Sequence, residues 1–587
     1  MKIIKRDGRT EEFNKEKIIN AISQAFKEID GELTDSAISK AKEIARYVEN
    51  LDKTLSVEEI QDIVEDKLMA SNRKDVAKCY IIYRNERTKV RQHNTQLMKN
   101  IEEKLSARNV QNQNANVDEH SFGGRMGEAK NEMMKDYALN YVVSEKSKNN
   151  HLNNEIYIHD LDSYAVGMHN CLSVPFDKLL EEGFNTRQTD VRPANSINTA
   201  FQLVAVLFQL QSLQQFGGVS ATHLDWTMVP YVRKSFRKHF NDGLKYIEEL
   251  TNLPTQNIDK DTSIEDDSYK KYPKAYKYAM DKTIKELKQA VEGMYHNLNT
   301  LQSRSGNQLP FTSINYGTCT LPEGRMVIQA LLEGSLSGVG KLHKTPIFPC
   351  GIFQCMKGVN RKPGDPNYDL FQLALKSTSK RLYPNYANVD WSGNEGYDIN
   401  DPKTYFSTMG CRTANGYDIN GFGQLKDGRG NICPVTIIMP TLAMEAKEEY
   451  NYRKDKNILI ENDTIISIFI QLLDKKIHEA KDMLIERYNW ICSQDPSSAK
   501  FMYENGLMAG YDGKTIESAM KHGTLAIGQI GLAETLQILI GVDHTIDEGM
   551  ELAKQIEGLF KTRCSEFKEE YKLNFGVYYT PKFSWVG

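Results

Sequence analysis

The chain has 587 residues, of which 40% are hydrophobic and 26% are charged, as in ordinary globular proteins of more than one domain. Its formal net charge of −4 provides no overall attraction to nucleic acid or to membrane surfaces. No run of about 18 apolar residues and no apolar secretory core at the start are found, and the nine cysteines are scattered, so we expect a cytosolic protein with free thiols.

Residues 1–95 are predicted to form a small, mostly helical domain. A short strand at 3–4 leads into a tight turn with Asp-Gly chemistry. Asn14 is placed to cap a first helix, and Ser56 with Glu59 has the spacing of a capping box before a second. A third helix is predicted to carry Val76, Tyr80 and Tyr83.

Residues 96–118 are predicted to form a linker, because their second half is polar and has no apolar periodicity. The main domain is assigned to 119–581. Its strand-like runs are 156–160, 310–317, 345–349 and 433–440. Its helical runs are 196–216, 323–335, 368–380 and 463–488. This alternation predicts an α/β fold with buried, mainly parallel strands.

Two cysteines have distinctive surroundings. Cys411 lies in Met-Gly-Cys-Arg and Cys171 lies in His-Asn-Cys-Leu, and no pair in the chain has C-x-x-C spacing. Thiol or radical chemistry across a pocket would need two such residues. On the cysteines alone, buried packing residues are the favoured interpretation. We predict a packing or surface role, and no metal site, for Cys79, Cys319, Cys350, Cys355, Cys433, Cys492 and Cys564.

The N-terminal pattern KRDGR…EFNKEKI is similar to the ATP cone of ribonucleotide reductases. A short basic turn is usually only a solvated surface, but lysines and arginine converging from a turn and a helix suit a triphosphate. The resemblance implies that ATP activates and dATP inhibits. It implies effector contacts from Lys5, Arg6, Glu11, Asn14 and Lys17.

From about residue 114 the chain resembles the catalytic subunit of the anaerobic (class III) ribonucleoside-triphosphate reductases. The matching segments occur in the family's order: IYIHDLD (156–162), HNCLSVPFDKLLEEGF (169–184), QQFGGVS (214–220), LPFTSINYGT (309–318), TPIFP (345–349), DPNYDLFQLALKSTSKRLYP (365–384), STMGCR (407–412), DGRGN (427–431), TLAIGQIGLAE (524–534) and VYYTP (577–581). The implied fold is a ten-stranded α/β barrel, of the type shared with glycyl-radical enzymes, around a central finger loop.

The resemblance also implies the chemistry, which is reduction of ribonucleoside triphosphates for DNA synthesis. Cys411 would carry the thiyl radical that abstracts the 3′-hydrogen, and Cys171 would protonate the leaving 2′-hydroxyl and donate an electron. Met409 would lie close to this chemistry. Asn431 matches the branch that uses formate as reductant, whereas a thioredoxin-dependent branch would differ there.

Further expectations concern partners and effectors. The family implies a radical-SAM activase and a homodimer, with the helix at 196–216 (Gln202 and Gln209 among its polar positions) at the effector site of the interface. No nucleic acid and no membrane partner are expected. For His159 and Asp160, a hydrogen-bonded pair at a strand end and contact with substrate remain equally open.

The resemblance stops at Thr580-Pro581, before the zinc site and the glycyl-radical loop of the family. Residues 582–587 are predicted to be an unrelated tail, the barrel to be incomplete and the chain to be inactive alone, with an intron, a frameshift or a separate C-terminal fragment left open. A pyruvate formate-lyase relative is less favoured, because it would lack the cone and would carry adjacent cysteines. A nucleotide-binding regulatory remnant is the alternative that is not an enzyme.

Overall fold

The computed structural model describes residues 2–5, 10–51, 53–106, 118–250, 255, 258–304, 308–410, 413–461 and 463–579. The chain divides into two compact units, Met1–Glu102 and Glu103–Gly587. Within the described ranges, no helix has both the length and the apolar character needed to cross a bilayer.

In its described residues, the first unit contains a three-stranded sheet and four helices. Strand β1 (Lys2–Ile4) pairs antiparallel with β2 (Thr10–Glu12) and parallel with β3 (Leu55–Ser56). The helices are α1 (Lys15–Asp30), α2 (Asp35–Glu49), α3 (Val57–Met69) and α4 (Lys74–Ser106).

The predicted helix caps are confirmed. The Glu16 N–H donates to Asn14 Oδ1 at 3.0 Å, at the start of α1. At the start of α3 the Glu59 N–H donates to Ser56 Oγ at 3.2 Å, and the Ser56 N–H donates to Glu59 Oε2 at 2.7 Å. Each cap satisfies helix N–H groups that have no partner within the helix, and is worth about 1 kcal/mol.

Two predictions for this region are wrong in part. The sequence indicated three helices, whereas α2 makes a fourth, and its buried stripe is built largely from the small residues Ala37, Ala41 and Ala45, which give a weak periodic signal. Helix α4 continues to Ser106, so the first part of the predicted linker is helical, because that segment is rich in good helix formers. Residues 107–117 lie outside the described ranges.

The second unit alternates strands with helices. Its strands are β4 (Ile156–Ile158), β5 (Leu172–Ser173), β6 (Phe184–Asn185), β7 (Asp190–Val191), β8 (Val219–Ala221), β9 (Thr312–Tyr316), β10 (Cys350–Cys355), β11 (Asn385–Asn388), β12 (Thr408–Met409), β13 (Thr413–Ala414), β14 (Asn431–Ile438), β15 (Thr524–Ile530) and β16 (Asn574–Tyr579). Its helices are α5 (Phe122–Tyr137), α6 (Glu145–Leu152), α7 (Leu161–Tyr164), α8 (Phe176–Glu182), α9 (Ile197–Gln211), α10 (Leu224–Thr227), α11 (Val229–Tyr246), α12 (Asp267–Lys270), α13 (Pro273–Leu298), α14 (Pro322–Ser337), α15 (Tyr368–Arg381), α16 (Met439–Asp455), α17 (Ile465–Cys492), α18 (Lys500–Glu504), α19 (Ile516–Met520), α20 (Leu532–Ile540) and α21 (Asp547–Tyr571).

Two sheets form the core of this unit. One is a parallel sheet in the order β11-β10-β9-β8-β5, and the other has the order β16-β15-β14-β4, in which only β4 is antiparallel. Main-chain hydrogen bonds join them, from Asn170 N–H to the Ile432 carbonyl at 2.8 Å and from Cys171 N–H to the Asn431 carbonyl at 2.9 Å. Nine strands thus lie in these sheets within the described part of the chain, and the predicted α/β class is confirmed.

Most predicted elements of this unit are present. The runs at 156–160, 310–317 and 433–440 contain β4, β9 and β14. The run at 345–349 is not a strand. The strand begins at Cys350, because Pro346 and Pro349 have no N–H to donate to a ladder. The helix expected at 196–216 ends at Gln211.

A short hairpin lies beside the parallel sheet. Strands β12 and β13 pair antiparallel, with Thr408 opposite Ala414 and Met409 opposite Thr413. We refer to residues 408–414 as the finger hairpin. Cys411 and Arg412, between its strands, lie outside the described residues.

Candidate active site

Cys171 lies immediately before β5, at the junction of the two sheets. Its side chain is 6% exposed. The thiol donates to Asn170 Oδ1 at 2.6 Å, and its sulfur accepts a hydrogen bond from the Gly218 N–H at 3.2 Å. Burial raises the pKa of the Cys171 thiol to about 11, against the opposing effect of the Gly218 N–H, so the group is a protonated thiol at neutral pH.

Glycines allow the main chain to approach this cysteine closely. A Cβ atom on Gly217 would lie 2.6 Å from Cys171 Sγ, and one on Gly430 would lie 1.7 Å from the Cys171 carbonyl oxygen. Real Cβ atoms essentially never come this near another heavy atom. The two positions that pack against Cys171 therefore need a residue without a side chain. This explains the first glycine of QQFGGVS, Gly217, and the second glycine of DGRGN, Gly430.

The finger hairpin is held against the sheet by side chains of β8 and β9. Asn315 Oδ1 accepts from the Thr408 N–H at 3.0 Å, and its Nδ2 donates to the Thr408 carbonyl at 3.0 Å. Ser220 Oγ donates to the same carbonyl at 2.9 Å, and the Gly410 N–H donates to Ser313 Oγ at 3.0 Å. These bonds connect β12 to the sheet through polar side chains instead of a second ladder.

Two described residues of the finger hairpin, Thr413 and Gly410, lie near Cys171 or near its neighbour Gly218. Thr413 Oγ1 lies 3.7 Å from Cys171 Sγ. Gly410 has φ of +66°, and a Cβ atom on Gly218, the residue that donates to Cys171 Sγ, would lie 3.4 Å from the Gly410 nitrogen. The structure therefore places Thr413 beside Cys171 and Gly410 beside Gly218, and the prediction for Cys411 itself lies outside the described residues.

Met409 is the other predicted residue of the hairpin. Its side chain is 2% exposed, and Asn415 Nδ2 lies 3.9 Å from the thioether sulfur. Asn415 also donates to the main-chain carbonyl of Arg429 at 2.9 Å. Asn415 therefore connects the thioether of the hairpin to the loop that leads into β14.

Asn431, at the start of β14, lines a small cavity of about 10 Å³. Both polar atoms of its amide are buried and have no hydrogen-bond partner, as do Nε2 of His169 and Nη2 of Arg429, which also line the cavity. Burial lowers the pKa of His169 to about 4, so its imidazole is neutral. The cavity has room for about one water molecule.

His159 and Asp160 follow β4, and both side chains are hydrogen-bonded within the protein. His159 Nε2 lies 2.7 Å from Thr436 Oγ1 and 2.9 Å from the Tyr578 hydroxyl, and those two oxygens are 2.8 Å apart. Asp160 accepts a hydrogen bond from Asn170 Nδ2. Sequence reasoning missed Thr436 and Tyr578, although alternation along β14 and β16 would have placed them on one face of the sheet.

A second buried network was also missed. His223 Nε2 donates to Asp177 at 3.0 Å, His223 Nδ1 lies 2.6 Å from Thr222 Oγ1, and Thr222 Oγ1 donates to Asp427 at 2.5 Å. Burial alone would lower the pKa of His223, but the carboxylates of Asp177 and Asp427 raise it to about 9. Asp177 and Asp427 are far in sequence from the adjacent pair Thr222 and His223, so no local spacing indicates that the four residues form a cluster.

In the first unit, only part of the predicted effector cluster is described. Lys5 Nζ lies 3.1 Å from Glu11 Oε2. Asn14 uses its side-chain oxygen as the cap of α1, Lys17 is exposed on the first turn of that helix, and Arg6 lies outside the described residues. A cavity of about 500 Å³ in this unit lies elsewhere. It is lined by Ala21, Gln24, Ala25, Glu28, Ile29, Asp75, Lys78, Cys79, Tyr80, Ile82, Tyr83 and Glu86.

No disulfide joins the other cysteines of the described residues. The buried ones are Cys319, Cys350, Cys433 and Cys564, and the partly exposed ones are Cys79, Cys355 and Cys492. Among the residues that the structure describes, no group of three His, Cys, Asp or Glu side chains is arranged to hold a metal ion.

Comparison with known proteins gives two family matches. The family described as anaerobic ribonucleoside-triphosphate reductase matches residues 113–584, and the ATP cone domain matches residues 1–89. The anaerobic ribonucleoside-triphosphate reductases of Haemophilus influenzae and Escherichia coli are each 29% identical to the chain, over 99% of it and 76% of their own length. That of phage T4 is 28% identical over 80% of the chain and 70% of its own length.

Solved structures show the same fold. A structure titled anaerobic ribonucleotide reductase has a TM-score of 0.53 and 16% identity, and the match covers 78% of the chain and 64% of that protein. The anaerobic ribonucleotide reductase from Thermotoga maritima in complex with dATP and CTP has a TM-score of 0.50 and 15% identity, over 78% and 69%. At this identity the likeness concerns the fold alone.

Proposed function

The chain belongs to the anaerobic ribonucleoside-triphosphate reductase family, an oxidoreductase family, and we propose that Cys171 and the finger hairpin carry the thiol chemistry of ribonucleotide reduction. The observation that supports this most directly is the approach of Thr413 Oγ1 to within 3.7 Å of Cys171 Sγ. Thr413 is two positions after Cys411 in the chain, with only Arg412 between them, which supports a role for both cysteines in one site.

In the proposed reaction, Cys411 as a thiyl radical takes the 3′-hydrogen of the ribose, and the S–H bond that forms regenerates its thiol. The proton of Cys171 goes to the 2′-oxygen, which leaves as water while its C–O bond breaks. The pKa of about 11 keeps that proton on Cys171 until substrate is bound. The thiolate that remains, which would then provide an electron, accepts the Gly218 N–H. Formate, oxidised to carbon dioxide, would supply the two electrons of the reduction and restore Cys171, and the Cys411 thiol would return its hydrogen atom to C3′ and become a thiyl radical again.

The oxidising equivalent for Cys411 would come from the glycyl radical of the family, formed with a radical-SAM activase. Met409 is proposed to shield the radical, since its thioether is buried and Met409 comes two residues before Cys411 in the chain. A reaction that depends on reduced thiols is consistent with the cytosolic location that we expect from the sequence.

Formate is the proposed reductant. The unpartnered amide of Asn431 offers both a donor and an acceptor, which a carboxylate-sized reductant can use once the cavity of about 10 Å³ opens. We expect formate-dependent turnover, which Asn431→Ala abolishes. The similarly buried Asn394→Ala serves as the matched control. Turnover with thioredoxin and none with formate would contradict the assignment.

ATP and dATP are the proposed effectors of the first unit. Lys5 and Glu11 are held together across the β1–β2 hairpin, next to the first turn of α1, which carries Lys17. Calorimetric titration should show binding of both nucleotides to the full chain and its loss in Lys5→Ala. Lys40→Ala, on α2, should bind normally, and a wild-type chain that binds neither nucleotide would overturn this role.

A homodimer is proposed, with α9 near the interface, because α9 is a long, largely buried helix whose Gln202 remains exposed. Light scattering of the purified chain tests the dimer, and a monomer at micromolar concentration would contradict it.

The central test concerns Cys171. Deoxynucleotide formation by the activated enzyme should be lost in Cys171→Ser, because a hydroxyl cannot take part in the thiol redox step. Cys564→Ser removes an equally buried thiol from α21 and should retain turnover. Retained turnover in Cys171→Ser would contradict the role of Cys171, whereas a wild-type chain that binds ATP but forms no deoxynucleotide after activation would favour the regulatory nucleotide-binding alternative.

A further inference from the structure

Three side chains lead from the end of β4 to the candidate thiol. Asn170 Nδ2 donates to Asp160 Oδ2, and the Cys171 thiol donates to Asn170 Oδ1 at 2.6 Å. We propose that Asp160 and Asn170 are positioning residues that fix the direction of the Cys171 thiol proton. The proposal builds on the role of Cys171 given above, but it concerns the state of the thiol itself and is tested on the thiol.

The backbone holds both neighbours in place. The N–H groups of Asn170 and Cys171 donate to the carbonyls of Ile432 and Asn431, at the start of β14. The side chains of Asn170 and Cys171 are 8% and 6% exposed, so solvent provides few alternative partners. With the main chain fixed on β14, the two side chains have little freedom to choose other orientations.

The chemistry of Asp160 decides which way the Asn170 amide faces. An ionised carboxylate only accepts hydrogen bonds, so it selects the Nδ2 end of the amide. The Oδ1 end then faces Cys171, and a carbonyl oxygen only accepts. Because no donor remains on that side of the amide, the hydrogen bond can form only if the thiol provides the proton. The carboxylate thus fixes the direction of the thiol proton without contacting the sulfur.

The other contacts of the sulfur agree with a thiol in this orientation. The Gly218 N–H donates to Sγ at 3.2 Å, so the sulfur accepts on one side while its proton is donated on the other. The negative charge of Asp160 adds to burial in raising the pKa of Cys171, whereas Thr413 and Arg304 oppose the rise. The proton remains directed at Asn170 Oδ1 until another acceptor, such as a substrate oxygen, competes for it.

The backbone of Asp160 makes a clean substitution available. Asp160 has φ of +58°, in the left-handed region that Asp and Asn tolerate better than other residues with side chains. Asp160→Asn therefore preserves the shape and the backbone while removing the charge. Without the carboxylate, the Asn170 amide can face either way, and the thiol proton loses its fixed acceptor.

The experiment measures the S–H stretching band of Cys171 in the full chain by infrared difference spectroscopy. In each background, subtraction of the spectrum of the corresponding Cys171→Ser variant isolates this thiol from the others. We expect a single, hydrogen-bonded S–H band in the wild type. Asn170→Ala should shift it to the higher frequency of a weakly bonded thiol, and Asp160→Asn should split it or shift it in the same direction.

Asn360→Ala is the matched control. Asn360 is fully buried and forms hydrogen bonds with three main-chain groups, none of which belongs to Cys171. Its replacement should therefore destabilise the fold without removing a contact of the Cys171 thiol. It should leave the S–H band in place. If Asp160→Asn and Asn170→Ala fold but leave the band unchanged, the inference is overturned, whatever the activity. If turnover survives Cys171→Ser, the proposed function fails and the inference on the thiol still stands.

Discussion

Asn315 forms hydrogen bonds in both directions with the main chain of Thr408. Its Oδ1 accepts the Thr408 N–H at 3.0 Å and its Nδ2 donates to the Thr408 carbonyl at 3.0 Å, as a neighbouring strand would. Nδ2 also donates to the Ala221 carbonyl at 2.9 Å. A side chain of β9 thereby takes the place of a ladder and attaches the finger hairpin to the sheet.

Asn315→Ala should release the hairpin. The substitution leaves the partly buried N–H and carbonyl of Thr408 with fewer partners, at a cost of about 3 kcal/mol. Hydrogen exchange should accelerate at the amide of Thr408 and turnover should fall. Asn360→Ala, which removes a comparable buried amide, should destabilise the protein without accelerating exchange at this amide. Unchanged exchange in Asn315→Ala would show that other contacts hold the hairpin.

Gly217→Ala should displace the candidate thiol. Its new Cβ would lie 2.6 Å from both Cys171 Sγ and the Asn170 carbonyl oxygen, and overpacking of this kind costs about 1–3 kcal/mol. Urea unfolding should show that loss, and deoxynucleotide formation should fall. Gly293→Ala, in α13, meets nothing within 4 Å and should instead stabilise the protein by about 0.5–1 kcal/mol. Full stability and activity of Gly217→Ala would rule out the predicted collision.

His223→Gln should change how stability depends on pH. The pKa of His223 is raised from 6.5 to about 9, chiefly by Asp177 and Asp427 against the effect of burial. Its contribution, about 3 kcal/mol, is therefore fully present below pH 6.5 and is lost as the pH rises through 9. The free energy of unfolding should differ most between wild type and variant at acidic to neutral pH, and least above pH 9.

The ionisation of Asp427 and Asp177 sets the limits of the pH range in which charged His223 stabilises the fold. Burial raises the pKa of Asp427 to about 6, so this carboxyl is ionised across the upper part of the window. The Asp177 carboxylate has a lowered pKa, because His223 and Thr227 outweigh the effect of burial, and Lys403 lies 3.6 Å from it. Urea midpoints measured from pH 6 to pH 9.5 give the comparison. A difference that does not shrink with rising pH would contradict a charged His223.

Lys426→Met should stabilise the protein. Lys426 is 1% exposed, and burial, with Arg429 nearby, lowers its pKa from 10.5 to about 7. The unfolded chain holds the proton at a pH at which the folded chain has released it. Stability therefore rises with pH from about 7 to 10.5, and the penalty is complete below pH 7.

Replacing the buried lysine should accordingly raise the free energy of unfolding by about 1–4 kcal/mol at pH 6, with a gain that shrinks toward pH 10. Chemical denaturation at several pH values measures this. Lys454→Met, at an exposed position of α16, should show no such gain. Destabilisation of Lys426→Met at pH 6 would indicate that the lysine has a partner anion in solution.

Local chemistry made some features predictable from sequence. Asn14 and the Ser56–Glu59 pair have their partners within three residues, so their caps follow from spacing alone. Helix α2 was missed for a related reason, because its alanine-rich stripe gives little contrast between the buried and the exposed face. The strand expected at 345–349 failed because hydrophobicity was weighed above the missing N–H groups of its prolines.

The candidate site also has some features that were predictable from the sequence and others that were not. The surroundings of Cys171 and Cys411 identified them as candidates, and the family resemblance gave them roles. The partners that tune Cys171 could not be found in this way. Gly218 is 47 residues away and Thr413 is 242 residues away, and neither spacing carries a signal.

By itself, the sequence determined the α/β class, the family and the helix caps, because these depend on periodicity, on ordered motifs and on contacts between near neighbours. Only the tertiary structure decided that Asn315 holds the finger hairpin, that glycines make room for Cys171, and that Asp160 directs its proton through Asn170. The physical reason is that hydrogen-bond direction, clearance and burial depend on which distant strands become neighbours, and local sequence does not encode these distances.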